Sequence, residues 1–393
     1  MWIVLFVIML DIIGFGIIGP VFPFYLKQLG AGPEMVGFYL ALFTAALFIS
    51  TPILGRLSDR YGRKPIMIFG VLGSVIGYLL LAVADSLLVV ALARILSGLM
   101  AGNFGAAQAY IIDSSREEDR AKFMGYFGAT MGLGFVIGPA IGAALGGDSF
   151  EHANFVLPAL TAAALSSCAL IGVVFFVKES LPPEKRSQHQ SQAALGFFKS
   201  VREIFNRRLL VLLIACGALY QIASGLFEPI FPLWVADYAI VDGPRGMTWM
   251  LLLSGLVMIL IQSFGIVPLT RRFSERRLLQ GGALGMAVCA YLITLAGNAA
   301  SVIAVTLLVS IMYGFAGIVI TCAQTLVSRC AAPHERGMVM GVYSSVNTLG
   351  RTITTLFSGV IYGQLHFHAP YYGAALLFLL MCWIGGHLPA KNK

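Results

Sequence analysis

The chain has 393 residues, 58% of them hydrophobic and 11% charged, with 44 glycines and a formal net charge of +8. Soluble domains carry about 25% charged residues, so the polar coat of a water-soluble globule is excluded. The basic residues stand in short clusters between apolar runs, which speaks against a nucleic-acid-binding face and for the cytoplasmic loops of a membrane protein.

A helix needs about 20 apolar residues to cross the hydrocarbon of a bilayer. Runs of that length predict spans at 3–26, 35–54, 66–84, 87–110, 122–146 and 154–177 in the first half. In the second half they predict spans at 209–235, 247–269, 278–297, 299–323, 337–363 and 370–388, the finest division falling at Gly297–Ser301. Residues 1–25 lack the basic start and the small-residue cleavage site of a signal peptide and read as the first span. With the N-terminus inside, all but four of the 26 Lys and Arg residues fall on cytoplasmic loops or the tail. Lys27 and Arg245 lie outside, and Arg94 and Arg351 lie within spans. That asymmetry places both termini in the cytoplasm.

The polar stretch 178–208 divides six spans from six, giving an N-terminal bundle over 1–177 and a C-terminal bundle over 209–393. The halves resemble one another. GPVFPFYL at 19–26 recurs as EPIFPLWV at 228–235, and RLSDRYGRK at 56–64 as PLTRRFSERR at 268–277. AQAYIIDSSREEDRAKFMGYFGATMGLG at 107–134 recurs as AQTLVSRCAAPHERGMVMGVYSSVNTLG at 323–350. Order is kept, and each repeat lies roughly 209–216 residues on, as duplication followed by loop insertion would leave it. The expected fold is all-α, twelve transmembrane helices in two pseudo-symmetric six-helix bundles.

Ionisable side chains at mid-bilayer cost at least about 2.5–3.5 kcal/mol and persist where they face water or an opposite charge. Asp11, Arg94, Glu228 and Arg351 lie well within spans. Asp11 sits about 12 Å from the inner end of its helix at 1.5 Å per residue. A carboxyl taken out of water prefers its proton, and a neighbouring cation restores the charged form. Substrate arriving at such a site links binding to proton release, so Asp11, Arg94 and Glu228 are the proton-coupling candidates. A fixed Asp11–Arg94 brace is the alternative. On the seventh span Gln221, Ser224 and Glu228 share one face, and on the eleventh Tyr343, Asn347, Arg351, Thr354 and Ser358 form a polar stripe. Glu228 replaces Gly19 of the first half and Arg351 replaces Phe135. The two could pair, or Arg351 could serve as a cationic hook for an anionic or zwitterionic substrate. Helix 4 sets Arg94, Gly98, Ala101, Gly105 and Gln108 on one face. Phe15, Phe22, Tyr25 and Phe227 could line an apolar pocket or make ordinary helix contacts. The substrate-binding candidates are therefore Asp11, Phe15, Arg94, Gln108, Gln221, Ser224, Glu228, Asn347 and Arg351.

Gly55-Arg-Leu-Ser-Asp59-Arg-Tyr-Gly62-Arg63-Lys64 lies between the second and third spans as a tight charged turn. It closely resembles the loop signature of the major facilitator superfamily. Leu92-Ala-Arg94-Ile-Leu-Ser-Gly98 resembles the family's fourth-helix motif. Gly134-Phe-Val-Ile-Gly138-Pro139-Ala-Ile-Gly142 resembles the fifth-helix motif of its antiporters. The first helix, Leu10-Asp11 through Pro20-Val-Phe-Pro23, is similar to that of drug:H+ antiporters of the tetracycline-exporter type. The resemblance implies proton-driven export by alternating access. It also implies a conformational latch of Gly55, Asp59, Arg63, Asp113, Gly138 and Pro139. In that latch Asp113 pairs with Arg63 or Arg56, and Asp59 meets the start of helix 11 at Gly337. The aspartates that tetracycline exporters carry in their third and ninth helices are missing here, where the third reads Ile76-Gly77-Tyr78, which argues against tetracycline–metal export.

The expected function is export of a small amphipathic compound against protons. The alternative is H+-coupled export or symport of a metabolite such as a siderophore, sugar, organic acid or lipid. No H-E-x-x-H, G-x-S-x-G or G-x-x-x-x-G-K-[ST] motif is present, so an enzyme or an ATP-driven pump is not expected. The six cysteines are scattered without C-x-x-C, so no disulfide framework, metal or cofactor is expected. All six histidines fall in loops or at helix ends and read as surface residues. The expected partners are a small-molecule substrate, protons and the lipid bilayer, without nucleic acid. The expected form is a monomer in the cytoplasmic (inner) membrane.

Overall fold

The computed structural model describes residues 1–101, 103–181, 206–331 and 335–387. The helices in chain order are α1 (Trp2–Ile18), α2 (Phe22–Gln28), α3 (Pro33–Tyr61), α4 (Arg63–Ala82), α5 (Leu87–Met100), α6 (Asn103–Ser114), α7 (Arg120–Leu145) and α8 (Val156–Phe176). They continue as α9 (Arg208–Phe227), α10 (Phe231–Asp237), α11 (Thr248–Leu260), α12 (Ile266–Arg272), α13 (Glu275–Asn298), α14 (Val302–Cys330), α15 (Arg336–Val360) and α16 (Ala369–Gly386). Short 3₁₀ turns at Glu228–Ile230 and Pro244–Met247 and π turns at Ile261–Gly265 and Ile361–Leu365 join several of these end to end. The joined segments make the twelve spans of an all-α membrane fold.

The breaks have local causes. α1 and α2 are one span bent by 45° at a short interruption, where Gly19-Pro20 removes a backbone donor and frees the chain. The matching place in the second half carries Pro229 in the 3₁₀ turn Glu228–Ile230. The fourth expected span is covered by α5 and α6. α3 and α14 each run 29 residues, past the predicted ends at 54 and 323, because their polar last turns continue as helix beyond the apolar stretch. The charged segment expected as a turn is therefore mostly helical, and the chain reverses at Gly62 alone. Its φ of 106° is one that a side chain would strain. α13 and α14 are separated by Ala299–Ser301, and Ser301 Oγ accepts from Ala304 N at 3.3 Å to start α14.

The chain divides into two compact units. The first holds α1 to α8, except Pro33–Phe38 at the start of α3, together with Asp242–Leu252. Within it α1 packs on α7 and α8, and α4 on α5, α6 and α8. The α1–α7 contact is backbone-close: a Cβ on Gly142 would stand 1.9 Å from Ile17 O, and one on Gly138 would stand 2.6 Å from Ile13 O. The second unit holds Pro33–Phe38 and the remaining C-terminal elements. There α9 packs on α15 and α16, and α13 on α14 and α16. Each unit thus repeats the same neighbours, as the sequence repeat requires.

Candidate functional site

In the first unit α1 and α5 bury the two mid-span charges. Asp11 and Arg94 are each 4% exposed. Ser166 of α8 donates its hydroxyl to Asp11 Oδ1 at 3.4 Å, a long bond. Buried Tyr78 of α4 lies within electrostatic reach of both charges. The Arg94 guanidinium rests 4.1 Å over the ring of Phe22, a cation–π contact. Its Nε and Nη2 are buried with no hydrogen-bond partner, as is Ser97 Oγ one turn on. Buried donors are normally satisfied, so this corner holds hydrogen-bonding capacity ready for water, proton carrier or ligand.

The apolar candidates take different places. Phe15 packs its ring 5.2 Å from Phe43 and 6.1 Å from Phe135. Phe22 and Phe227 are core residues. Tyr25 stacks on Phe155 at 3.9 Å and donates to Ala84 O at 2.5 Å. Gln108 is exposed while Arg94 is buried.

The charged turn forms a compact hub. Arg63, with its side chain 6% exposed, reaches Asp59 Oδ1 at 2.6 Å through Nη1 and Asp113 Oδ2 at 2.9 Å through Nε. Nη1 also donates to Ser58 Oγ at 2.9 Å. Asp113 therefore pairs with Arg63, while Arg56 is exposed. Glu179, just beyond α8, accepts from the backbone N–H groups of Arg63 at 2.9 Å and Lys64 at 3.1 Å, capping α4. The same carboxylate accepts from Ser180 N and Leu181 N. Gly55 is half-buried on α3 with open space around it, and Gly138 and Pro139 lie at the α7 contact with Gly16. Sequence reasoning passed over Glu179 because it stands in a linker. It is the first acidic residue after the sixth span, and that position was its available signal.

In the second unit the two departures from the repeat meet. Arg351 Nη2 donates to Glu228 Oε2 at 2.6 Å, and Nη1 to Gln221 Oε1 at 3.4 Å. Ser224 and Asn347 are buried alongside. Close approach of α9 and α15 makes this possible: Gly225 leaves a Cβ position only 2.3 Å from Thr354 Oγ1, and Gly217 one only 2.4 Å from the Tyr343 ring. Tyr220 of α9 and Tyr313 of α14 lie within electrostatic reach of both members of the pair.

One expectation fails. His368 is no surface residue: it is 3% exposed, bonded to Trp234 at 3.2 Å, Tyr238 at 2.9 Å and Asn298 at 3.1 Å. The loop before α16 folds inward over Trp234, which period and composition do not announce. His366, His152 and His387 are exposed, and His189 and His334 lie outside the described residues, as does most of the 178–208 stretch. Among the described residues, no group of three or more His, Cys, Asp or Glu side chains could hold a metal ion.

Twelve helical spans, two units with the same internal packing, and buried charges at mid-span define a membrane transporter of small solutes rather than an enzyme. The chain belongs to the Major Facilitator Superfamily, whose family model matches residues 4–264 and 213–391. It is 27% identical over 385 residues to multidrug resistance protein 2 of Bacillus subtilis (strain 168), covering 97% of this chain and 92% of that one. It is 29% identical over 397 residues to the class G tetracycline resistance protein of Vibrio anguillarum, covering 98% and 93%. Its fold is similar to the crystal structure of a D-xylose–proton symporter, with a TM-score of 0.81 at 14% identity, covering 99% of this chain and 98% of that one.

Proposed function

We propose that the chain is a proton-coupled exporter of a small amphipathic compound. It would work by alternating access in the cytoplasmic membrane as a monomer with both termini in the cytoplasm. The observation that carries this reading is the buried Asp11 carboxyl and the buried, unsatisfied Arg94 donors, both within electrostatic reach of Tyr78, in a chain whose relatives include multidrug and tetracycline resistance proteins. A proton on Asp11 and a substrate at the same corner compete, so binding of one releases the other. Arg94 and Glu228 tune that competition. Phe15, Gln108, Gln221, Ser224, Asn347 and Arg351 contact substrate along with Asp11 and Arg94. The Arg63 hub acts as the latch, Asp59 working with the start of α15 at Gly337 in one state, Gly55 shaping the turn, and Gly138 and Pro139 setting the α1–α7 approach. The stretch 178–208 links the bundles 1–177 and 209–393. Absence of further acids in the third and ninth spans leaves a metal–tetracycline complex without ligands, which favours a metal-free substrate.

The test is proton movement in proteoliposomes loaded with a pH-sensitive dye and screened against amphipathic compounds. Wild-type protein should show substrate-dependent proton flux and Asp11→Asn should show none while still binding compound. Undiminished flux in Asp11→Asn removes Asp11 from the mechanism.

A further inference from the structure

We infer that the Glu228–Arg351 pair of the second unit recognises a zwitterionic substrate, a carboxylate with a nearby ammonium group on an aromatic body. This rests on the reading of that pair as part of the substrate site and names the chemical class it selects.

The pair is formed but not closed. Side-chain exposure is 37% for Arg351 and 20% for Glu228, and charged groups on segments that cross a bilayer face water or an opposite charge rather than acyl chains. Glu228 is bound through Oε2 alone. Arg351 spends one N–H on Glu228 at 2.6 Å and another on Gln221 at 3.4 Å. The second is at the weak limit of a hydrogen bond. A guanidinium carries five N–H donors in a planar fork that matches a carboxylate bidentately. The edge held by Gln221 can therefore be taken by an incoming carboxylate while the Glu228 contact is kept.

Glu228 then decides which anions are admitted. Its negative charge lies within hydrogen-bond distance of the cation and repels a dianion such as a phosphate ester. A second group on the ligand that donates to its remaining oxygen turns repulsion into attraction. An ammonium beside the carboxylate meets both demands and presents the inverse of the protein's own charge pair. Tyr220 and Tyr313, each half-buried, lie within electrostatic reach of the pair, so aromatic side chains suited to a planar ligand stand in its neighbourhood. Across the repeat the first unit has Gly19 and Phe135 at these places, so the element belongs to the second unit alone.

Three probes separate the possibilities: a quinolone carboxylic acid with a basic amine, its methyl ester, which keeps only the cation, and its N-acetyl derivative, which keeps only the anion. Equilibrium binding to the purified full chain in nanodiscs should favour the zwitterion by roughly tenfold over either derivative. Arg351→Gln should erase its advantage over the ester, and Glu228→Gln its advantage over the N-acetyl acid. Arg351→Lys, which keeps charge without the fork, should retain part of the preference and shows that a loss in Arg351→Gln is not misfolding. Equal affinity of wild type for the three probes, failure of the zwitterion to bind, or parallel weakening of all three in Arg351→Gln overturns the inference. Proton-linked export of the ester would, in each case, leave the exporter reading standing.

Discussion

The indole N–H of Trp234 donates to Nδ1 of His368 at 3.2 Å, and this fixes the tautomer of a buried imidazole. An atom that accepts cannot carry a proton, so in the neutral ring Nε2 bears it, facing Asn298 Oδ1 at 3.1 Å and Tyr238 Oη at 2.9 Å. Protonating the ring would set Nδ1–H against the indole N–H.

Burial, followed by the nearby His366, holds the His368 pKa below its usual 6.5. The unfolded chain then binds more protons than the folded one between the lowered value and 6.5, so stability rises with pH across that window. It is complete above about 6.5 and is lost as pH falls through the lowered value. Thermal melting and Trp fluorescence should both shift on acidification. His368→Gln, which can accept from Trp234 and donate to Asn298, should flatten the response. The ionisable side chains facing His368 are His366 and Tyr372, with ring centroids 5.3 Å and 5.9 Å away, and Tyr238 at 2.9 Å, with Asp237 near Tyr238. A His366→Gln control isolates the other imidazole.

Arg63 joins Asp59 and Asp113 with its own side chain almost fully buried. Arg63→Ala should cost about 3 kcal/mol, the lower end for breaking a buried ion pair, because both acids keep some water. Transport should fall with it. The exposed pair Arg245–Asp148 at 2.8 Å has side chains 59% and 73% exposed, and Asp148→Asn should change melting by less than about 1 kcal/mol. Equal effects at both places would remove the hub from the mechanism.

Gly142 and Gly128 lie on the same helix in unlike surroundings. A Cβ at Gly142 would meet Ile17 O at 1.9 Å, whereas nothing lies within 4 Å at Gly128. Gly142→Ala should force α1 and α7 apart at a cost of about 1–3 kcal/mol, in the range of overpacking. Gly128→Ala should be neutral or slightly stabilising. Melting in detergent reads both.

Glu179 caps α4 from outside that helix. Glu179→Ala should lower stability by about 1–2 kcal/mol, the upper range for a lost cap, whereas Glu118→Ala, whose partner Arg116 stands 3.9 Å away on the surface, should have no measurable effect. Rescue of most of the loss by Glu179→Gln, which keeps an acceptor, would separate capping from charge.

Much of this was legible in the residues. The repeat of prolines and loop charges announced two bundles with the same neighbours. Glu228 and Arg351 stood out because each broke the repeat, while the choice between a pair and a lone cationic hook needed the approach of the turn after α9 to α15. What stayed hidden depends on approach between distant segments. Ser166 and Tyr78 near Asp11, Glu179 on α4 and the inward fold of His368 carry no period of their own. The end of α3 misled because a charged segment can continue as helix beyond the lipid, and only Gly62 reveals where it stops.

α15 bears Asn347, Arg351, Thr352, Thr354, Thr355 and Ser358 along one helix, and a segment so polar partitions poorly into hydrocarbon by itself. During synthesis it emerges after α9 and α14 are complete, when Glu228 and the α9 surface are already in place to receive the guanidinium. The expected consequence is that insertion of this segment depends on the α9 surface. Truncated or reordered versions lacking α9 would leave the eleventh segment stranded at the translocation machinery, exposed to quality-control proteases rather than seated in the bilayer.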